Sequence, residues 1–79
     1  MSPTVLRKDG YRFFFFSREE SRKHVHVSRS DGEAKWCLEP GVELAYNHRL
    51  SAKQLRETEA ILRINLQEIS DAWRRHFGN

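Results

Sequence analysis

The sequence predicts an α+β domain: an antiparallel sheet of four or five short strands, built from two hairpins, packed against one long C-terminal helix. Two observations carry the sheet. Asp9-Gly10 and Asp31-Gly32 each sit between short runs of strand-forming residues. Asp-Gly in that setting is a strong hairpin signal, because both residues tolerate the positive φ of a type I′ turn. The third observation is the stretch from Ser51 to Phe77, whose apolar residues recur at helical spacing. Seventy-nine residues make one domain, 1–79, with 1–50 as the hairpin sheet and 51–78 as the helix.

The first strand is expected over Thr4 to Lys8 and the second over Tyr11 to Ser17. A two-residue loop then pairs Lys8 with Tyr11, Arg7 with Arg12, Leu6 with Phe13 and Val5 with Phe14. Phe13 to Phe16 show no alternation, so both faces of this strand should be covered, either as a central strand or against another chain. The polar run Arg18 to Lys23 reads as a loop leading to a third strand, His24 to Ser28, and a fourth, Glu33 to Leu38. With Asp31-Gly32 as the turn, Val27 pairs with Trp36 and Val25 with Leu38, leaving His26 opposite Cys37 and His24 opposite Glu39. Glu39-Pro40-Gly41 breaks the pattern. Beyond it Val42, Leu44 and Tyr46 alternate with polar or small residues, as in a fifth short strand or a helical turn.

The helix has a readable start. Ser51 and Gln54 have capping-box spacing, and Leu50 and Leu55 occupy the positions of a hydrophobic staple. Gly78 is placed to cap the far end, with Arg74, Arg75 and His76 in the last turn, where positive charge suits the helix dipole. At 100° per residue Leu55, Leu62, Leu66, Ile69, Trp73 and Phe77 fall within roughly 40° of one line. That stripe should pack on the sheet, while Ile61 and Ile64 point away from it.

Composition limits the function classes. Hydrophobic residues are 38% of the chain, charged residues 32% and aromatic residues 11%, a globular balance. No apolar run is long enough to span a membrane, the N-terminal residues lack the pattern of a signal peptide, and Cys37 has no partner for an internal disulfide. These features point to a cytoplasmic protein with no membrane partner. A net charge of +3 suits an ordinary solvated surface and also permits attraction to a phosphate backbone.

The second hairpin holds the residues with chemical potential. On the face opposite Val25 and Val27, the expected register gathers His24, His26, Cys37 and Glu39, which are ligand types for zinc or a similar metal. Imidazoles also titrate near neutral pH, so His24 and His26 could exchange protons with a ribose hydroxyl and a leaving oxygen. The commoner meaning of a strand-borne His-x-His is a plain surface or a partner contact. Arg7 and Arg12 face each other across the first hairpin, and Arg18, Arg22, Lys23 and Arg29 lie near the ends of the histidine strand, as phosphate recognition would require and as an ordinary soluble hairpin equally shows. The residues show no carboxylate pair of the kind that holds magnesium, and no cofactor is expected.

Several stretches resemble one family of small bacterial proteins, the domain of unknown function 4160. They are Pro3-Thr4-Val5-Leu6, Gly10-Tyr11-Arg12-Phe13-Phe14-Phe15, His24-Val25-His26-Val27, Asp31-Gly32-Glu33-Ala34-Lys35 and Leu38-Glu39-Pro40. The likeness continues through Glu43-Leu44-Ala45, Asn47, Leu50-Ser51 and Ala72-Trp73 to Phe77-Gly78. It implies the toxin-side member of a type II toxin–antitoxin pair, with a small antitoxin-like protein as partner, RNA or DNA as target, and His24 and His26 matching the family's histidines. In its sharpest form this is metal-independent ribonuclease chemistry; the alternative is a non-catalytic module that binds protein or nucleic acid. Cys37 stands where the family has a large apolar residue, which suggests a partly covered face. Arg49 stands where a glycine is common.

Overall fold

The computed structural model describes residues 4–16 and 22–78. Five strands, β1 (Thr4–Lys8), β2 (Tyr11–Phe14), β3 (His24–Arg29), β4 (Gly32–Cys37) and β5 (Glu43–His48), precede two helices, α1 (Ala52–Ile64) and α2 (Leu66–Phe77). The strands form one antiparallel sheet in chain order, β1-β2-β3-β4-β5. The α+β fold is the expected one. Ser17, the expected end of the second strand, and most of the loop from Arg18 lie outside the described residues.

The first hairpin has the expected turn, with Asp9 at φ 53° and Gly10 at φ 85°. Lys8, Arg7 and Leu6 pair with Tyr11, Arg12 and Phe13 as expected, but a bulge then gives Thr4, not Val5, to Phe14. In the second hairpin the turn is Ser30-Asp31 rather than Asp31-Gly32. Arg29 pairs with Gly32, so His24 faces Cys37, Val25 faces Trp36 and His26 faces Lys35. Gly32 is required by packing instead of by the turn: a Cβ there would lie 2.6 Å from Leu50 Cδ2. The displacement equals two residues of register, so each side chain keeps its face although its partner changes.

A glycine is natural at position 49 because the backbone there is left-handed, with Arg49 at φ 70°. Arg49 holds that conformation while its guanidinium meets Asp31 at 3.0 Å. Just before it, the Asn47 side chain brackets Leu50, accepting from its N–H at 3.1 Å and donating to its carbonyl at 2.9 Å. This bracket seats Leu50 against Gly32 and delivers the chain to Ser51, where the capping box forms as expected.

The expected single helix is broken. Asn65 leaves the helical region at φ −106°, ψ 19°, and its side chain donates to the Ile61 carbonyl at 2.8 Å. An asparagine side chain competing for a backbone carbonyl favours such a break. The break also changes which residues are buried. A single helical wheel carried from Leu55 to Phe77 puts Ile61 outside, whereas Ile61 joins Leu62 in the core; Ile64 is 83% exposed. The remaining stripe is as expected, with Leu62, Ile69 and Trp73 buried and Leu55, Leu66 and Phe77 half-buried.

The core lies between the helices and one sheet face, termed inner. Phe13, Phe15, Val25, Val27, Ala34, Trp36 and Leu38 meet Leu50, Ile61, Leu62, Ile69 and Trp73. Tyr11 joins them and ties the first hairpin to α1, donating its phenol O–H to Glu57 Oε1 at 2.6 Å. Burial, then the Glu57 carboxylate, raises the Tyr11 pKa above its ordinary value of 10.0, with the Arg29 guanidinium opposing. The folded state therefore favours the neutral phenol. Its contribution is complete below the ordinary tyrosine value and is lost as pH climbs through the higher folded one. Wild type should thus lose stability above pH ~10 more steeply than Tyr11→Phe, which lacks the titrating group. Urea midpoints of both proteins from neutral to alkaline pH check this; parallel curves would contradict it.

Candidate functional site

The opposite, outer face collects most of the side chains singled out from the sequence. Strand alternation and the observed pairings place Arg7 beside Arg12, Arg12 beside Ser28, Phe14 beside His26, and His26 beside Lys35. A bulge in the β4–β5 pairing, where Trp36 faces Leu44 and Lys35 faces Tyr46, turns Tyr46 to the same side. This pairing of β2 with β3 is what hairpin reasoning could not supply, since it joins strands from different hairpins.

The histidines are not on a wet surface. His24 is 2% and His26 3% exposed. The His26 ring stacks on Phe14 with centroids 5.4 Å apart and meets Phe16 at 4.2 Å. Arg12 covers Phe14 from outside, its guanidinium carbon 4.4 Å from the ring centre. His24 sits at the start of β3, 5.3 Å from the His26 ring and 5.2 Å from Trp73. The half-buried Cys37 opposite it fits the covered face that its position in the family pattern suggested.

Hydrogen bonding sets the role of each ring. His24 Nδ1 lies 2.8 Å from the Arg22 carbonyl, which can only accept, so the neutral ring carries its proton on Nδ1 and its lone pair on Nε2. His26 Nδ1 lies 3.9 Å from Glu33 Oε2, and the same carboxylate oxygen accepts from the Tyr46 O–H at 3.1 Å. A line of polar contacts thus crosses from β3 through β4 to the exposed Tyr46 on β5.

The grouping of His24, His26, Cys37 and Glu39 that the expected register would gather is not assembled. Cys37 faces His24 instead of His26, and Glu39 lies past the end of β4, 3.8 Å from Lys23 Nζ. Among the described residues no three histidine, cysteine, aspartate or glutamate side chains gather as a metal ion would need. The cationic residues separate into two groups. Arg7 and Arg12 lie on the outer face. Arg29 lies on the helix side, where it donates to the Asp9 carbonyl at 2.7 Å and covers Tyr11. Lys23 is engaged with Glu39, and the Arg22 carbonyl with His24. Lys35 and Tyr46 are outer-face residues that sequence reasoning missed; the alternation of β4 carried the signal for Lys35, but only the bulge turns Tyr46 outward.

A family model described as Domain of unknown function (DUF4160) matches residues 10–74. The chain belongs to the DUF4160 family. The match begins in the first hairpin's turn, after β1, and runs through β2, the second hairpin with its outer-face histidines, β5, α1 and α2 as far as Arg74. No curated protein and no solved structure matches this DUF4160 chain. Among its described residues, no helix is long and apolar enough to cross a membrane.

Proposed function

We propose that this DUF4160 protein is a nucleic-acid-binding module that holds a single strand on the outer face of its sheet. The observation that carries the reading is the sharing of one face by Arg7, Arg12 and Lys35 with the exposed rings of Phe16 and Tyr46. Cations that track a phosphate backbone beside aromatic rings that stack on bases are the means by which sheets bind single strands without reading sequence. The buried apolar side chains of the helices, Ile61, Leu62, Ile69 and Trp73, all join the inner core, so this platform lies on the sheet's other side.

Titration of a labelled single-stranded RNA at several salt concentrations tests the proposal. Each phosphate contact contributes about −0.7 to the slope of log affinity against log salt. Replacing Arg7 and Arg12 by alanine should lower the affinity and flatten that slope by about 1.4. Binding that keeps the wild-type slope in the double variant would place the phosphates elsewhere.

The orientation of His24 favours a second reading, in which Nε2 of His24 and the His26 ring act as base and acid on RNA. An Nδ1–H donated to a carbonyl is how a basic Nε2 is commonly fixed. Burial of both rings weighs against it, because a general base must come within hydrogen-bond reach of its proton. On this reading induction of wild type degrades RNA and His24→Gln does not. The toxin-side role rests on the family resemblance; growth inhibition relieved by the product of the neighbouring gene is its test.

A further inference from the structure

We infer that β5 pairs antiparallel with β5 of a second copy, joining two sheets into one across a two-fold axis. β5 is the last strand of the sheet, and all six of its residues are exposed. Among the described residues it carries two of the four exposed large apolar side chains, Leu44 and Tyr46. An edge strand of this length with apolar side chains is a ready template for another strand unless charge, proline or cover blocks it. The other edge is blocked: α2 lies against β1, and β1 ends on the adjacent cations Arg7 and Lys8.

Charge and side-chain parity select the occupant. Glu43 and His48, at opposite ends of β5, both lie on the outer face, opposite Cys37 and Glu33 of β4. An antiparallel pair of β5 strands with its axis between Ala45 and Tyr46 sets Glu43 of each copy opposite His48 of the other. It sets Leu44 opposite Asn47, both on the inner side. Residues directly opposite in an antiparallel pair must share a face, and this register satisfies that at both ends. A register one residue away would set Leu44 opposite Tyr46, which lie on different faces. The bulge between Leu44 and Tyr46 then falls on the axis, where it interrupts the middle of the ladder and leaves both ends to pair. The inference is independent of nucleic-acid binding.

Analytical ultracentrifugation of the full chain should show a monomer–dimer equilibrium. Glu43→Lys should shift it towards monomer by tenfold or more, and adding His48→Glu should restore the dimer. The register itself is tested by a Cys37→Ser/Glu43→Cys/His48→Cys variant, which should oxidise to a covalent dimer. Within one chain these positions lie roughly 16 Å apart along the strand, too far for a disulfide. A Cys37→Ser/Glu43→Cys control should not crosslink, since Glu43 of one copy lies at the far end from Glu43 of the other. A wild-type chain that stays monomeric at about 1 mM would overturn the inference. So would equal crosslinking of the control.

Discussion

Replacing Trp73 by alanine is expected to cost roughly 3–5 kcal/mol, the range for emptying a buried large aromatic site. Trp73 is 1% exposed and touches three other rings, Phe15 at 5.3 Å, His24 at 5.2 Å and Phe77 at 4.2 Å. It therefore links α2 to the end of β2 and the start of β3 at once. A domain this small has only a few kcal/mol of margin, so the variant should be largely unfolded at 37 °C. Thermal melts followed by circular dichroism check this. A midpoint within a few degrees of wild type would mean that α2 does not hold the sheet as described.

The second large effect separates structure from chemistry at His26. Alternation alone implies that the histidines point away from the core and can be removed without harm to the fold. The ring of His26 is instead packed between Phe14 and Phe16, so His26→Ala should destabilise by about 2–3 kcal/mol through lost packing. His26→Phe keeps a ring of similar shape and should recover most of that loss, at the expense of the contact with Glu33. The two variants together distinguish the roles. If His26 serves packing, His26→Phe retains nucleic-acid binding and any growth inhibition. Complete loss of activity in a well-folded His26→Phe protein would favour acid–base chemistry instead.

These contrasts mark what the sequence could reveal. Hairpin turns and strand alternation are local, so four strands and the face of nearly every side chain on them were legible, while the fifth stayed open between a strand and a helical turn. Partners were less so. Gly32 looked like a turn residue, whereas its missing side chain makes room for Leu50, a contact across 18 positions that no local pattern displays. Asn65 carried a weak signal, a helix-disfavouring residue within an otherwise regular stripe, and its bond to the Ile61 carbonyl breaks the helix and brings Ile61 inside. Burial of the histidines was the least legible feature. It depends on Phe14 and Phe16 lying next to His26, and so on β2 pairing with β3, strands that belong to different hairpins.

The most direct test of the platform is to watch its side chains during titration with a short oligouridine. Aromatic resonances of Phe16 and Tyr46 and the Nε–H signals of Arg7 and Arg12 should shift together and saturate together. Methyl groups of Leu55 and Ile64 on the helices should remain still. That pattern is the one expected if a single strand lies on the outer face. Shifts confined to the helices, or no shifts at any concentration of oligonucleotide, would contradict the account.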